Sequence, residues 1–271
     1  MPFRPTHLFY LSTLRCNERC SKCSHWKIED HDDDLDPAAV VRAARSLQGL
    51  EELCITGGEP LLLGDRILAI AQGLDGSGIR TSIVTNGTLC GVEFLEALAP
   101  LNVHLVFSID TIDPEFWRFV RGTDSFETVI ENLMLARALL KPEKVSVQSV
   151  LARETQDHLL SVGAICEERG ITQVVQEYLE EGFGGTWTPL RGLEETPVDD
   201  CRAAGRNLSI MPDGSVRTCF QQDLIPGCAE PLGSIPEQDI TEIISSDYAA
   251  EVIERMRHCS LPCARLNCNR G

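Results

Sequence analysis

The chain has 271 residues, 43% of them hydrophobic, and its 24 basic and 41 acidic side chains leave a formal charge of −17. That length suits one full-sized domain with a small appendage, and the acidic balance argues against nucleic acid, whose phosphates want a Lys/Arg surface. The longest apolar stretches fall short of the roughly 20 residues of a membrane span, and no apolar run follows a basic start as in a signal peptide. A cytoplasmic enzyme of small molecules, with no membrane partner, is expected.

From His7 onward, strand-like and helix-like segments alternate. Strands are expected at His7–Thr13, Glu52–Thr56, Arg80–Val84, Val103–Ile109, Lys144–Val150 and Thr172–Tyr178, each short and rich in Val, Ile and Leu. Helices are expected at Pro37–Gln48, Arg66–Leu74, Val92–Leu98, Phe126–Leu140 and Gln156–Arg169; Asp36-Pro37 is a cap followed by proline at the first helical position. Such units wind into a parallel α/β sheet with right-handed crossovers. A curved partial barrel and a flat doubly wound sheet both satisfy this pattern, and both gather reactive residues where the strands end.

At those ends lie the polar motifs. Cys16, Cys20 and Cys23 follow the first strand with the spacing C-x3-C-x2-C. Three thiolates can hold three irons of a [4Fe–4S] cube and leave the fourth iron open, whereas a fully ligated cluster takes four cysteines. Closed zinc with His25 as a fourth ligand is the rival reading, and a disulfide framework fits a cytosolic chain poorly. Gly57, Gly58, Glu59 and Pro60 follow the second strand, Asn86 the third, and Ser108 and Asp110 the fourth. Gln148 and Arg153 lie near the end of the fifth. The glycine pair also reads as a simple tight turn, and the rim residues as solvent-facing. The acidic run Glu29–Asp34 reads as a solvated loop; Cys54, Cys90 and Cys166 read as small packing residues.

Residues 181–200 form a linker in which Gly184-Gly185-Thr186-Trp187 is either part of a lid or a spacer. The remainder, 201–271, holds Cys201, Cys219, Cys228, Cys259, Cys263 and Cys268. Within it, Pro212-Asp213-Gly214 turns a hairpin, and one helix is expected over Ile240–Arg257. Six thiolates suffice for one four-cysteine cluster and fall short of two; structural zinc is the alternative.

Taken together, the cysteine triad, GGEP, TNG and SID resemble the radical S-adenosylmethionine (SAM) superfamily over residues 1–180. The spacing from Cys201 to Cys268 is similar to the Twitch/SPASM appendages of that superfamily. The resemblance implies a partial (β/α)6 TIM-like barrel with a small C-terminal cysteine-rich β-hairpin and helix domain. It implies that Cys16, Cys20 and Cys23 bind a [4Fe–4S] cluster and act in catalysis. SAM is then met by the Gly57–Pro60 loop (Glu59 included), Asn86, Ser108, Asp110, Gln148 and Arg153. Lys22 stands where relatives carry an aromatic residue before the third cysteine, and its backbone can still reach the adenine. One auxiliary [4Fe–4S] cluster would use Cys201 and Cys219 with two of Cys259, Cys263 and Cys268, Cys228 staying open. A flavodoxin- or ferredoxin-type protein would supply single electrons.

The architecture also resembles 2-deoxy-scyllo-inosamine dehydrogenases, which implies oxidation of a secondary alcohol in a sugar or cyclitol. Two alternatives stand beside it: maturation of a ribosomal peptide, for which the 15 residues before Cys16 offer no leader-binding domain, and an iron–sulfur electron carrier, in which GGEP, TNG and SID would have no task.

Overall fold

The computed structural model describes residues 3–28, 35–178, 184–190, 201 and 203–259. Six strands run parallel: β1 (His7–Leu11), β2 (Glu52–Thr56), β3 (Arg80–Thr85), β4 (Val103–Ser108), β5 (Val145–Leu151) and β6 (Thr172–Glu177). The helices between them are α1 (Pro37–Ser46), α2 (Gly64–Leu74), α3 (Val92–Leu98), α4 (Pro114–Arg121), α5 (Phe126–Leu139) and α6 (Gln156–Arg169). Asp36 caps α1 by accepting from the Ala38 amide at 2.9 Å, as Asp-Pro at a helix start should. After the barrel come β7 (Asn207–Ile210), β8 (Ser215–Arg217), β9 (Gly233–Ser234), α7 (Ile240–Ile244) and α8 (Asp247–Arg257).

Among the described residues, the nine strands share one sheet in the order β6-β5-β4-β3-β2-β1-β7-β8-β9. The C-terminal hairpin is therefore not set apart by the linker: β7 pairs in parallel with β1, His7 opposite Asn207.

Strands β2 to β5 present two unlike faces. Leu53, Ile55, Ile83, Leu105, Phe107 and Val147 are buried beneath the helices, against Ile67, Ile70, Leu95, Leu98 and Leu133. The alternate residues, among them Cys54, Ser82, His104, Ser146 and Gln148, line a cavity of about 580 Å³. A flat doubly wound sheet would carry helices on that second face as well. The sheet instead curls around it, and the fold is a partial TIM-like barrel.

Two elements differ from expectation. α4 was not anticipated, although Asp113 caps it by accepting from the Glu115 amide at 2.8 Å and Pro114 is its first residue. The single helix expected over Ile240–Arg257 is two, because Ser246 Oγ accepts from the Ala249 amide at 3.1 Å and starts α8 afresh. Glu29–Asp34, Cys263, Cys268 and most of the linker lie outside the described residues. Among the described residues no helix is long and apolar enough to cross a membrane.

Candidate active site

The cysteine loop leaves β1 and is gripped from three sides. On the first, the pairing of β1 with β2 continues past the strands: the amides of Gly58 and Glu59 donate to the carbonyls of Thr13 (2.7 Å) and Arg15 (2.8 Å). A Cβ on Gly58 would stand 2.0 Å from the Arg15 carbonyl oxygen, and one on Gly57 2.4 Å from that of Thr13. These glycines are thus required by packing against the cysteine loop itself. The end of α4 supplies the second grip, where the Arg19 and Ser21 amides donate to the carbonyls of Arg121 (3.0 Å) and Val120 (2.9 Å). The third comes from Gly184–Trp187. Gly185 and Thr186 donate through their amides to Lys22 and Ser21 carbonyls, each at 2.9 Å, and the Trp187 indole donates to Ser21 Oγ at 2.8 Å. This segment, expected as a lid or spacer, is clamped to the loop with Trp187 buried.

Donors surround the three sulfurs. The Glu18 amide approaches Cys16 Sγ at 3.4 Å and the His25 amide approaches Cys23 Sγ at 3.5 Å. Asn86 Nδ2 lies 4.0 Å from Cys16 Sγ, and Arg121 Nη1 lies 3.8 Å from Cys20 Sγ. Burial pushes the thiols of Cys16 and Cys20 up to about 12 and about 11, the Arg121 charge working against burial at Cys20. Thiols so placed release protons when metal replaces them, and converging N–H donors suit sulfur that carries charge.

Several residues expected at the cofactor also brace the fold. The Glu59 carboxylate is buried and accepts from the Leu61 amide (2.9 Å), Thr85 Oγ1 (2.7 Å) and the Asn86 amide (2.7 Å). Burial lifts it to about 7 against the pull of those donors. Pro60, the next residue, is buried too. Asn86 Nδ2 donates to Asn17 Oδ1 at 2.7 Å, which ties β3 to the cysteine loop. Asp110, expected at the cofactor, is wholly buried: one oxygen takes the Val150 amide at 2.8 Å, and the other faces Lys22 Nζ at 2.5 Å and Arg121 Nη2 at 3.2 Å. The Lys22 side chain thus turns inward, and the Ser108 carbonyl accepts from Arg121. Arg153 is exposed, its amide donating to the Thr188 carbonyl at 3.0 Å.

The cavity opens on the inner face of the barrel. Gln148 Nε2 donates to Gln176 Oε1 at 3.0 Å on one wall. At the amino-terminal ends of the strands, Arg80 Nη2 pairs with Glu52 Oε2 at 2.5 Å, Ser82 donates to the same carboxylate, and His104 Nε2 meets Ser146 Oγ at 2.9 Å. Cys201 and Cys219 also line this cavity. Cys201 precedes β7 and Cys219 follows the antiparallel β8, which puts both at the amino-terminal end. The Cys16–Cys23 loop sits at the opposite, carboxyl-terminal end, one five-residue strand or roughly 16 Å away. Cys54, expected to pack in the core, faces the cavity instead, whereas Cys90 and Cys166 are buried in the core.

Comparison with known proteins decides what this arrangement is. The family described as "Radical SAM superfamily" matches residues 10–162. The chain belongs to that superfamily. A second family, "Iron-sulfur cluster-binding domain" (SPASM), matches residues 201–269. With these two families come a [4Fe–4S] cluster, SAM and auxiliary iron–sulfur ligation. Among curated relatives, the probable GTP 3′,8-cyclase of Methanothermobacter marburgensis is 32% identical over 78% of this chain and 68% of its own. That of Methanothermobacter thermautotrophicus is 31% identical over 65% of this chain and 59% of its own. The GTP 3′,8-cyclase of Stenotrophomonas maltophilia is 32% identical over 54% and 46%. The chain thus spans about half to two thirds of the length of these relatives.

Solved radical SAM folds superpose over nearly all of it. Streptococcus suis SuiB bound to S-adenosylmethionine gives a TM-score of 0.77 at 18% identity, covering 92% of this chain and 68% of that one. BtrN in complex with AdoMet and 2-DOIA gives 0.58 at 16%, covering 95% and 89%. The chemistry of the donor set fits the cluster of this superfamily: three thiols on one loop, each with an N–H donor aimed at its sulfur.

Sequence reasoning missed Arg121 and Glu18, both buried beside Cys20, and the polar inner ends of the strands. The first pair had no local signal. The second did, in the alternation Glu52-Leu53-Cys54-Ile55-Thr56.

Proposed function

We propose that this radical SAM enzyme dehydrogenates a secondary alcohol of a small, uncharged, hydroxyl-rich molecule of the sugar or cyclitol type. The observation that carries the reading is the cavity on the inner face of the barrel with Cys201 and Cys219 on its wall, the Cys16–Cys23 loop following the carboxyl-terminal end of β1 in the same barrel. In this reading Cys16, Cys20 and Cys23 hold the cluster. The backbones of Lys22 and Gly57–Pro60, with Asn86 and Ser108, border the SAM site. Cys201 and Cys219, with two of Cys259, Cys263 and Cys268, hold a single auxiliary cluster. The barrel then spans 1–180 and the appendage 201–271, and a flavodoxin- or ferredoxin-type donor in the cytoplasm delivers electrons.

What the bound cofactors supply is one-electron cleavage of the SAM sulfonium and removal of a hydrogen atom from substrate. The chain's own residues do the rest. Gln148 and Gln176 offer amide groups to hydroxyls, and Ser146 and Ser82 line the deeper wall. After the hydrogen atom has gone, the substrate must lose one electron and one proton to become a carbonyl. Cys201 and Cys219 mark the exit for the electron. His104, whose pKa burial and the Arg80 charge lower, lines the same cavity and is the acceptor for the proton.

GTP cyclisation is the second reading, favoured by the names of the curated relatives. Against it, among the described residues lining the cavity the one full positive charge is Arg80, already committed to Glu52, and a triphosphate is held by several cations. The test is anaerobic: protein loaded with iron and sulfide, reduced, and given SAM with deuterated cyclitols, GTP or candidate peptides. Deuterium in 5′-deoxyadenosine together with one ketone per turnover supports dehydrogenation. A cyclised nucleotide, or a modified peptide with every cyclitol inert, would sink it.

A further inference from the structure

Arg121 is 2% exposed, yet nothing in the radical SAM reading assigns it a task. It is the last residue of α4, and its guanidinium reaches two carboxylates and a sulfur: Asp110 at 3.2 Å, Glu18 at 3.4 Å and Cys20 Sγ at 3.8 Å. The two carboxylates are well served without it. Glu18 accepts from Ser125 Oγ at 2.6 Å and Thr123 Oγ1 at 3.2 Å, and Asp110 has Lys22 and the Val150 amide. Among the described residues, Arg121 is the cation whose side chain contacts a sulfur of the cysteine triad. Counted together, Arg121 and Lys22 balance Glu18 and Asp110. A Cys20 thiolate therefore sees a compensated shell in which the guanidinium faces it directly on one side and the Glu18 carboxylate, 3.8 Å away, on another.

We propose that Arg121 and Glu18 are an opposed pair of positioning residues that set the reduction potential of the cluster held by Cys20; this rests on Cys16, Cys20 and Cys23 being its ligands. Reduction adds one electron, supplied by the donor, and no bond changes partner. A buried guanidinium donating to a cluster sulfur stabilises the more negative, reduced state, and a buried carboxylate beside the same sulfur opposes it. Because both groups are fixed by α4 and by Thr123 and Ser125, neither can swing away to be screened by water.

The test is potentiometric. Wild type, Arg121→Gln, Arg121→Lys and Glu18→Gln are loaded with iron and sulfide without oxygen, iron is counted, and the proteins are titrated with dithionite under electron paramagnetic resonance. The signal that changes on adding SAM identifies the relevant cluster. Arg121→Gln is expected to lower its reduction equilibrium about tenfold, or about 59 mV for a one-electron couple. Arg121→Lys should fall between, and Glu18→Gln should shift the potential upward. Full iron in Arg121→Gln with an unmoved potential overturns the inference. Should that variant load no iron, an unmoved potential in Glu18→Gln does the same. A wild type with no SAM-responsive signal refutes the ligand reading itself and the inference with it.

Discussion

Lys22 Nζ and Asp110 Oδ2 lie 2.5 Å apart, so the residue before the third cysteine is bolted to the residue just past the end of β4. Arg121 Nη2 shares that same oxygen at 3.2 Å. One carboxylate thus meets two cations inside the protein, and removing it leaves Lys22 without its carboxylate and Arg121 with Glu18 alone. Breaking a buried pair from one side costs about 3–5 kcal/mol. Asp110→Asn should lose about that much stability in urea unfolding. A loss under about 0.5 kcal/mol, the scale of a neutral surface change, would show the network to be incidental.

The same carboxylate gives acid sensitivity a definite sign. Burial raises the Asp110 pKa, but the charges of Lys22 and Arg121 outweigh burial and hold it below its ordinary 3.8. A group depressed in the folded state contributes stability that is fully present above its unfolded pKa and is lost as pH falls through the folded value. Unfolding free energy should therefore fall as pH drops below about 3.8, and Asp110→Asn should flatten that part of the curve. Urea midpoints at a series of pH values measure it. An equally steep acid limb in the variant would assign the effect to other groups.

How much of this was legible beforehand varied with the range of the interaction. The strand–helix alternation and the placing of Cys16, Gly57, Asn86 and Ser108 at strand ends follow from local pattern, and the sheet order agrees. The choice between flat sheet and barrel was also written in the strands. Glu52 and Cys54, Ser82, His104, and Ser146 and Gln148 recur at every second position, and a polar inner face needs a lumen. The missed helix α4 begins with Asp113-Pro114, the same signal that identified α1 at Asp36-Pro37. Arg121 against Glu18 was beyond reach: 103 residues separate them, and nothing near either one records the contact.

Gly58 separates packing from cofactor approach as the reason for the GGEP glycines. Its missing Cβ would fall 2.0 Å from the Arg15 carbonyl oxygen and 2.5 Å from its carbon, both backbone atoms that cannot turn aside. Gly58→Ala must therefore displace the cysteine loop before any ligand arrives. We expect it to lose stability by about 1–3 kcal/mol, the usual cost of overpacking, in protein without iron or SAM. Gly64→Ala, where a Cβ meets nothing within 4 Å, is the control and should stay near wild type. If Gly58→Ala unfolds like the control and loses only SAM affinity, the glycine serves the ligand.

The auxiliary ligands divide by what their sulfurs face. Cys201 and Cys219 open onto the cavity beside Phe220, whose ring meets that of Phe9 edge-on at 5.7 Å. Cys228 is fully buried, with its sulfur 4.0 Å from the Pro226 carbonyl and packed in the hydrophobic core. A thiol with no exposed surface, turned to the Pro226 carbonyl, would have to leave that packing to bind iron. Cys201→Ala and Cys219→Ala should each lose about four irons per chain, one cluster's worth, while the SAM-responsive signal persists. Cys228→Ala should keep its iron and lose only packing stability. Iron counts with Mössbauer spectra of the three variants distinguish the cases. Loss of a cluster from Cys228→Ala alone would move the auxiliary site from the cavity wall into the core, and the electron exit proposed for the substrate would have to move with it.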